Sequence, residues 1–226
     1  MNRFATAAFA AAMLLASQSV FAQTPAPAPS PEHKSIMDGV TIMGAGGVSF
    51  TKKVGGVVNG EIVTKEYYKN TSFSLEGGWM SSVVSQHRLD SASAIANYLA
   101  QTQGQPATAS VKVPAGYAAV NVRYTLMTKP RYRLYALGGG GFSVTSPKST
   151  FTLGGTDVSG SLGQYGVTLG KDLSGSTAGG LLNFGVGATY PHGKWVGDAS
   201  YRFTPMFNGG ITTLVSRLNF AVGYKF

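Results

Sequence analysis

The chain has 226 residues, no cysteine, 31 glycines and a formal net charge of +9. The lack of thiols excludes disulfides, thiolate metal sites and a cysteine nucleophile, and it fits an exported protein. The basic residues do not gather on one face: Arg123, Arg202, Arg217 and Lys225 alternate with apolar residues, while Lys69, Lys129, Arg131, Arg133 and Lys194 fall near short turns, which argues against a nucleic-acid partner.

Residues 1–22 carry Arg3, an apolar run from Ala7 to Ala16, and the small residues Ser19, Val20 and Ala22. This is the pattern of a secretory signal peptide, too short to span a bilayer, and the mature chain is expected to start at Gln23. In residues 23–35 proline recurs at alternate positions, from Pro25 to Pro31. Such a stretch favours polyproline II and cannot join a ladder, so it reads as a periplasmic lead-in. Residues 36–226 remain, about 190 residues or one domain. No later run of 18 apolar residues predicts a transmembrane helix.

Residues 38–50 predict the first strand, with Val40, Ile42, Val48 and Phe50 on one face and Thr41, Met43 and Ser49 on the other. Residues 52–60, polar and glycine-rich, read as a loop. Residues 61–69 form a blurred second strand, followed by a tight turn at 69–71. The third strand, 72–83, sets Phe73, Leu75 and Trp79 against Ser74, Glu76 and Met80. Residues 85–114 are a long connection with a short helix over 90–101, capped by Asp90 and carrying Ile95, Tyr98 and Leu99 on one side.

The fourth strand, 115–127, places Ala118, Val120, Val122, Tyr124 and Leu126 outward and Asn121, Arg123 and Thr125 inward. A short turn leads to the fifth, 131–144, whose glycines Gly138 to Gly141 leave its facing open. Residues 145–180 are a second long segment, in which 163–169 extends a hairpin. The sixth strand, 181–190, points Leu182, Phe184, Val186, Ala188 and Tyr190 outward. After a turn at 191–194, the seventh, 195–207, sets Trp195, Ala199, Tyr201 and Phe203 against Asp198, Ser200, Arg202 and Thr204. A turn at 208–210 opens the eighth, 212–226. There Leu218, Phe220, Val222, Tyr224 and Phe226 are apolar at every second position, a greasy stripe that suits a lipid-facing strand.

Counting back from Phe226, short turns and long segments alternate as they must if both chain ends lie in the periplasm and the long segments at 85–114 and 145–180 lie outside. Eight strands result, an all-β, antiparallel, up-and-down transmembrane β-barrel. The same topology predicts two rings of aromatics. Tyr68, Phe73, Tyr124, Tyr132, Tyr190, Trp195, Tyr224 and Phe226 fall near the periplasmic rim; Phe50, Trp79, Tyr117, Phe142, Phe203 and Phe207 fall near the other.

With its leader, its glycine–aromatic strands (135–142 and 183–190), Tyr201-Arg202-Phe203 and the ending Gly223-Tyr224-Lys225-Phe226, the chain resembles the small outer-membrane barrels of the OmpA, OmpX and opacity-protein type. The resemblance covers residues 36–226 and implies a porin-like architecture in a Gram-negative outer membrane. It further implies lipid and lipopolysaccharide as partners, and a C-terminal strand (Leu218, Phe220, Val222, Tyr224, Phe226) read by the barrel-insertion machinery.

An eight-stranded barrel is just wide enough for side chains to fill it. The inward positions carry Glu76, Arg123, Asp198, Arg202 and Arg217, with Lys225 near the end, and Glu76 and Asp198 are expected to pair with Arg123, Arg202 and Arg217 in an interior network that plugs the lumen. The alternative is a narrow, charge-lined ion path. Basic loop residues (Lys52, Lys53, Arg88, Lys112, Lys148, Lys171) suit lipopolysaccharide phosphates. Of the histidines, His33 and His192 lack partners in the sequence, and His87 lies near Ser85 and Asp90, a sketch of a catalytic group on a surface enzyme. No cofactor or metal motif is present. The expected role is non-enzymatic: structural or adhesin-like surface contact with an unidentified ligand through the two long loops.

Overall fold

A computed structural model describes residues 37–226; the expected leader, the lead-in and His33 lie outside the described residues. Eleven strands and one α-helix follow in order: β1 (Thr41–Phe50), β2 (Val54–Val63), β3 (Thr71–Met80), α1 (Gln86–Gln103), β4 (Ala107–Lys112), β5 (Ala115–Thr128), β6 (Arg133–Thr145), β7 (Lys148–Leu153), β8 (Thr156–Asp157), β9 (Thr177–His192), β10 (Trp195–Asn208) and β11 (Ile211–Lys225). Eight of them close into one antiparallel barrel, in the order β1-β2-β3-β5-β6-β9-β10-β11 and back to β1. Every wall strand pairs with its chain neighbours, so the topology is up-and-down. The seam closes where Gly39 N donates to Phe226 O and Phe226 N donates to Val40 O, both at 3.0 Å. Both ends of the barrel strand set therefore lie at one rim.

Alternation dictates facing. On β11, Leu214, Leu218, Phe220 and Val222 are exposed while Val215, Arg217 and Asn219 are buried; β10 sets Trp195, Tyr201 and Phe203 outward and Asp198, Ser200, Arg202 and Thr204 inward. Two-residue hairpins at Gly193-Lys194 and Gly209-Gly210 fix the register of β9–β11, and the latter pair adopts positive φ at both positions, the conformation that matches strand twist.

The largest departure from the sequence expectation is the second strand. It runs Val54–Val63, seven residues earlier than expected, and the supposed loop at 52–60 shrinks to a turn at 51–53. Val54, Val58 and Ile62 face outward, while Val57, Asn59 and Glu61 face inward. The alternation was there, but Gly55, Gly56, Gly60 and Asn59 disguised it as a loop. The turn before β3 does fall at Lys69-Asn70, which adopts positive φ.

The two long segments are not separate loops. β4 pairs antiparallel with β7, and β8 extends that sheet, so the segments at 81–114 and 146–176 share one small sheet. The hairpin in the second segment is β7–β8 rather than 163–169, and a 3₁₀ turn at Leu162–Tyr165 overlaps the start of that range. Helix α1 is longer than expected and starts earlier. Ser85 is its N-cap, its hydroxyl accepting from Arg88 N at 3.4 Å, and Gly104 ends it in the left-handed conformation. Asp90 is not the cap; it accepts from Gln86 Nε2 at 2.8 Å. The buried face is Arg88, Ala92, Ala96 and Leu99, with Ile95 packed beside it, and Tyr98 points away.

This cap shares one apolar core with the upper lumen. Leu99, Val111, Phe151 and Leu173 of the cap belong to the same cluster as Val57, Met80, Leu181, Met206 and Val215 of the barrel wall. No helix among the described residues is long and apolar enough to cross a membrane, which says nothing about strands.

Candidate functional site

Below the apolar layer the lumen is ionic. Arg123 Nη2 reaches Asp198 Oδ2 at 3.0 Å and Arg123 Nη1 lies 3.5 Å from Glu61 Oε1. Arg202 bridges two acids, Glu61 Oε2 at 2.6 Å and Glu76 Oε2. Arg217 Nη1 completes the chain at Glu76 Oε1, 3.0 Å away. Around them Tyr117 donates to Glu76 at 2.6 Å, Tyr135 donates to Asp198 at 2.9 Å, and Asn183 donates to Glu76 at 3.0 Å. The guanidinium of Arg123 lies 3.8 Å from the Tyr135 ring centre, and that of Arg217 lies 4.6 Å from the ring of Tyr117. All six charged groups are at most 7% exposed, so each ion's desolvation is offset only by this multiple bonding.

Thus Glu76, Arg123, Asp198, Arg202 and Arg217 come together, and Glu61 joins them. Sequence reasoning missed Glu61 because β2 was set too late and its facing was blurred. Tyr117 was also misplaced: it is 6% exposed and faces the lumen, not the outer aromatic ring. Its position between Ala115 and Ala119 on the inward face of β5 was the available signal. Lys225 does not join the network; it lines an open cavity of about 310 Å³ at the chain-end rim, with Lys65, Arg133 and Glu66.

The outside is the inverse. Phe142, Phe220, Val222, Val120 and Trp195 are between 58% and 64% exposed on the wall, and a soluble monomer does not present a continuous apolar belt of this kind. Near the chain ends, Tyr68, Phe73, Tyr124, Tyr132, Tyr190, Trp195 and Phe226 are exposed, and Trp195, Tyr224 and Phe226 stack edge-on in a row. Phe50, Trp79, Phe142, Phe203 and Phe207 are exposed toward the other rim. The barrel is inside out: charged within, greasy without.

No protein-family model matches the chain, and no curated protein matches it in sequence. Among solved structures it is similar to Ail, the attachment invasion locus protein of Yersinia pestis, at 14% identity and a TM-score of 0.45, over 84% of this chain and 100% of that one. It is similar to Neisserial surface protein A at 13% identity and a TM-score of 0.47, over 83% and 96% of the two chains. The N-terminal β-barrel domain of Pseudomonas aeruginosa OprF follows at 12% identity and 0.46, over 83% and 98%.

The histidine group suggested by the sequence does not assemble. Ser85 Oγ is engaged as the helix cap, Asp90 is held by Gln86, and residues two apart on a helix do not face each other. His87 instead lies 4.0 Å from Asp172 and is largely exposed. Arg88, expected among the surface cations, is 1% exposed and donates to Asp172 O at 3.0 Å, tying α1 to the other loop segment. Burial lowers its pKa and the nearby Asp172 carboxylate opposes that shift. Among the described residues no cluster of His, Asp and Glu could hold a metal ion.

Proposed function

We propose that the chain is an integral outer-membrane β-barrel protein whose lumen is closed to ions and whose folded cap is a surface-contact platform. The apolar belt around a charged interior carries this reading: a closed sheet leaves no backbone edge in lipid, and only lipid makes such an exterior favourable. The plug rather than the ion path is supported by the apolar layer of Val57, Met80, Leu181, Met206 and Val215 lying between the charges and the cap.

Two surface features fit envelope partners. Lys112 and Lys148 sit directly opposite each other on β4 and β7, just above the ends of β5 and β6. Like charges so placed repel unless an anion joins them, and a lipopolysaccharide phosphate at that height would. Leu218, Phe220, Val222, Tyr224 and Phe226 form the outward edge of the last strand, available to insertion machinery before the β1–β11 seam closes. The cap, held down by the core it shares with the upper lumen, presents the exposed face of α1 to the exterior and is the candidate adhesive surface.

The test is outer-membrane fractionation with a gel comparison of unboiled and boiled samples, followed by surface proteolysis and planar-bilayer recording. A heat-modifiable band in the outer membrane, cleavage only within 81–114 and 146–176, and no discrete current steps are expected. A soluble periplasmic protein with one gel position would refute the membrane reading; steady current steps would refute the plug.

A further inference from the structure

The two aromatic rims of the barrel differ in chemistry. At the chain-end rim the exposed rings include Tyr68, Tyr124, Tyr132 and Tyr190, between 40% and 63% exposed. At the other rim they are Phe50, Trp79, Phe142, Phe203 and Phe207. A phenol hydroxyl donates to an acceptor at headgroup level, and a phenyl ring does not. Charge follows the same division. Each of the three turns at the chain-end rim sets an exposed cation next to an exposed ring. Lys69 follows Tyr68 between β2 and β3, Arg131 precedes Tyr132 between β5 and β6, and Lys194 precedes Trp195 between β9 and β10.

Two of these cations are held against the wall. Lys69 Nζ lies 5.2 Å from the ring centre of Tyr68, and Lys194 Nζ lies 5.6 Å from that of Tyr224. Tyr224 in turn packs edge-on against Trp195 and Phe226. Both ammonium groups therefore stand where the barrel meets lipid, not over the mouth of the lumen. The strand order places the three turns at separate points around the barrel, so the cations are distributed about the rim rather than gathered on one side.

The acids at this rim are spoken for or stand elsewhere. Glu66 is paired with Arg133 at 3.2 Å, and Asp38 and the Phe226 carboxylate stand at the β1–β11 seam. Cations and phenols together call for a partner that accepts hydrogen bonds and carries net negative charge. A phosphodiester at headgroup level has both properties. A zwitterionic headgroup brings its own ammonium, which competes for the phosphate; an anionic one does not. We infer that the chain-end rim is a collar that gathers anionic glycerophospholipids, of the phosphatidylglycerol kind, around the barrel.

The inference rests on the membrane-barrel reading, and one measurement separates the two. The chain has two tryptophans, Trp79 at one rim and Trp195 at the other, so Trp79→Phe leaves a single reporter beside Lys194. The full chain with that change is reconstituted at low salt in phosphatidylcholine vesicles, and heat-modifiable mobility establishes that it is folded. A fixed fraction of the lipid is bromine-labelled, phosphatidylglycerol in one sample and phosphatidylcholine in the other. Quenching of Trp195 should show phosphatidylglycerol enriched at the rim by roughly two- to fivefold, and the enrichment should fall as salt is added. Lys69→Gln, Arg131→Gln and Lys194→Gln together change only exposed turn positions and should bring the two lipids to parity with mobility unchanged. Equal quenching by both lipids before those changes, or a preference that survives them in the folded barrel, would overturn the inference and leave the membrane barrel standing. No quenching by either lipid would overturn both. Parity between the lipids, with cosedimentation on isolated cell wall that the triple variant loses, would give the collar to that acidic polymer instead.

Discussion

Replacing Glu76 with glutamine keeps the shape of the side chain and removes its charge. The residue is fully buried and holds Arg202, Arg217, Tyr117 and Asn183. Without its charge, two acids face three arginines. Arg202 still has Glu61, but Arg217 keeps only Tyr117, Asn183 and Thr204, none of them charged to match it. Breaking a buried ion pair from one side costs about 3–5 kcal/mol, because the remaining charge stays buried and unpaired. Glu66→Gln is the internal control: its pair with Arg133 at 3.2 Å is roughly half exposed, and such pairs contribute ~0–1 kcal/mol. Urea unfolding in lipid vesicles, followed by tryptophan fluorescence, reads both variants on one scale. Adding Arg217→Met to Glu76→Gln should recover much of the loss, since it removes the stranded charge. A Glu76→Gln loss below about 1 kcal/mol, equal to that of the control, would show that the lumen is wet enough to screen its charges and would refute the network as a plug.

Phe220 is 61% exposed on the outer wall, so Phe220→Arg should destabilise the barrel in lipid by ~2–4 kcal/mol, whereas an exposed position on a soluble protein would change by no more than ~0.5 kcal/mol; urea titration distinguishes these. Leu99→Ala empties a fully buried cap position and should cost ~2–5 kcal/mol locally, seen as faster proteolysis within 81–114 while the barrel keeps its heat-modifiable mobility. Gly187→Val would drive a side chain into the Tyr135 ring that covers this glycine across the β6–β9 pair, and refolding yield should fall. Lys112→Glu should weaken binding to lipopolysaccharide vesicles, whereas Lys129→Glu at the opposite rim should leave it unchanged.

Strands with large side chains on one face were legible residue by residue: in β5, β10 and β11 the sequence positions of Val120, Val122, Tyr201, Phe203, Leu218 and Phe220 declared their side. Where glycine replaced them the signal vanished, because a residue without a side chain belongs to neither face. That is why β2 was displaced, and why Glu61 was left out of the interior set. The cap was illegible for another reason. β4 and β7 are short alternating segments, Ala107–Lys112 and Lys148–Leu153, that become strands only by pairing with each other across a whole β5–β6 hairpin. Nothing local in either segment announces its partner. Asp90 looked like a cap because acidic residues favour helix starts, yet Ser85, five positions earlier, was the residue free to take the extended conformation a cap requires.

The β4–β7 ladder has a consequence for how such a surface can change over time. Neither cap segment can be rewritten alone, because each supplies part of the other's sheet and part of a shared core. The smallest contiguous piece that carries both cap segments is the stretch 81–176, two loop segments with the β5–β6 hairpin between them. A single exchange of that stretch would bring in both halves of a new cap together with two of the eight wall strands, whereas scattered changes in one segment would have to be answered in the other.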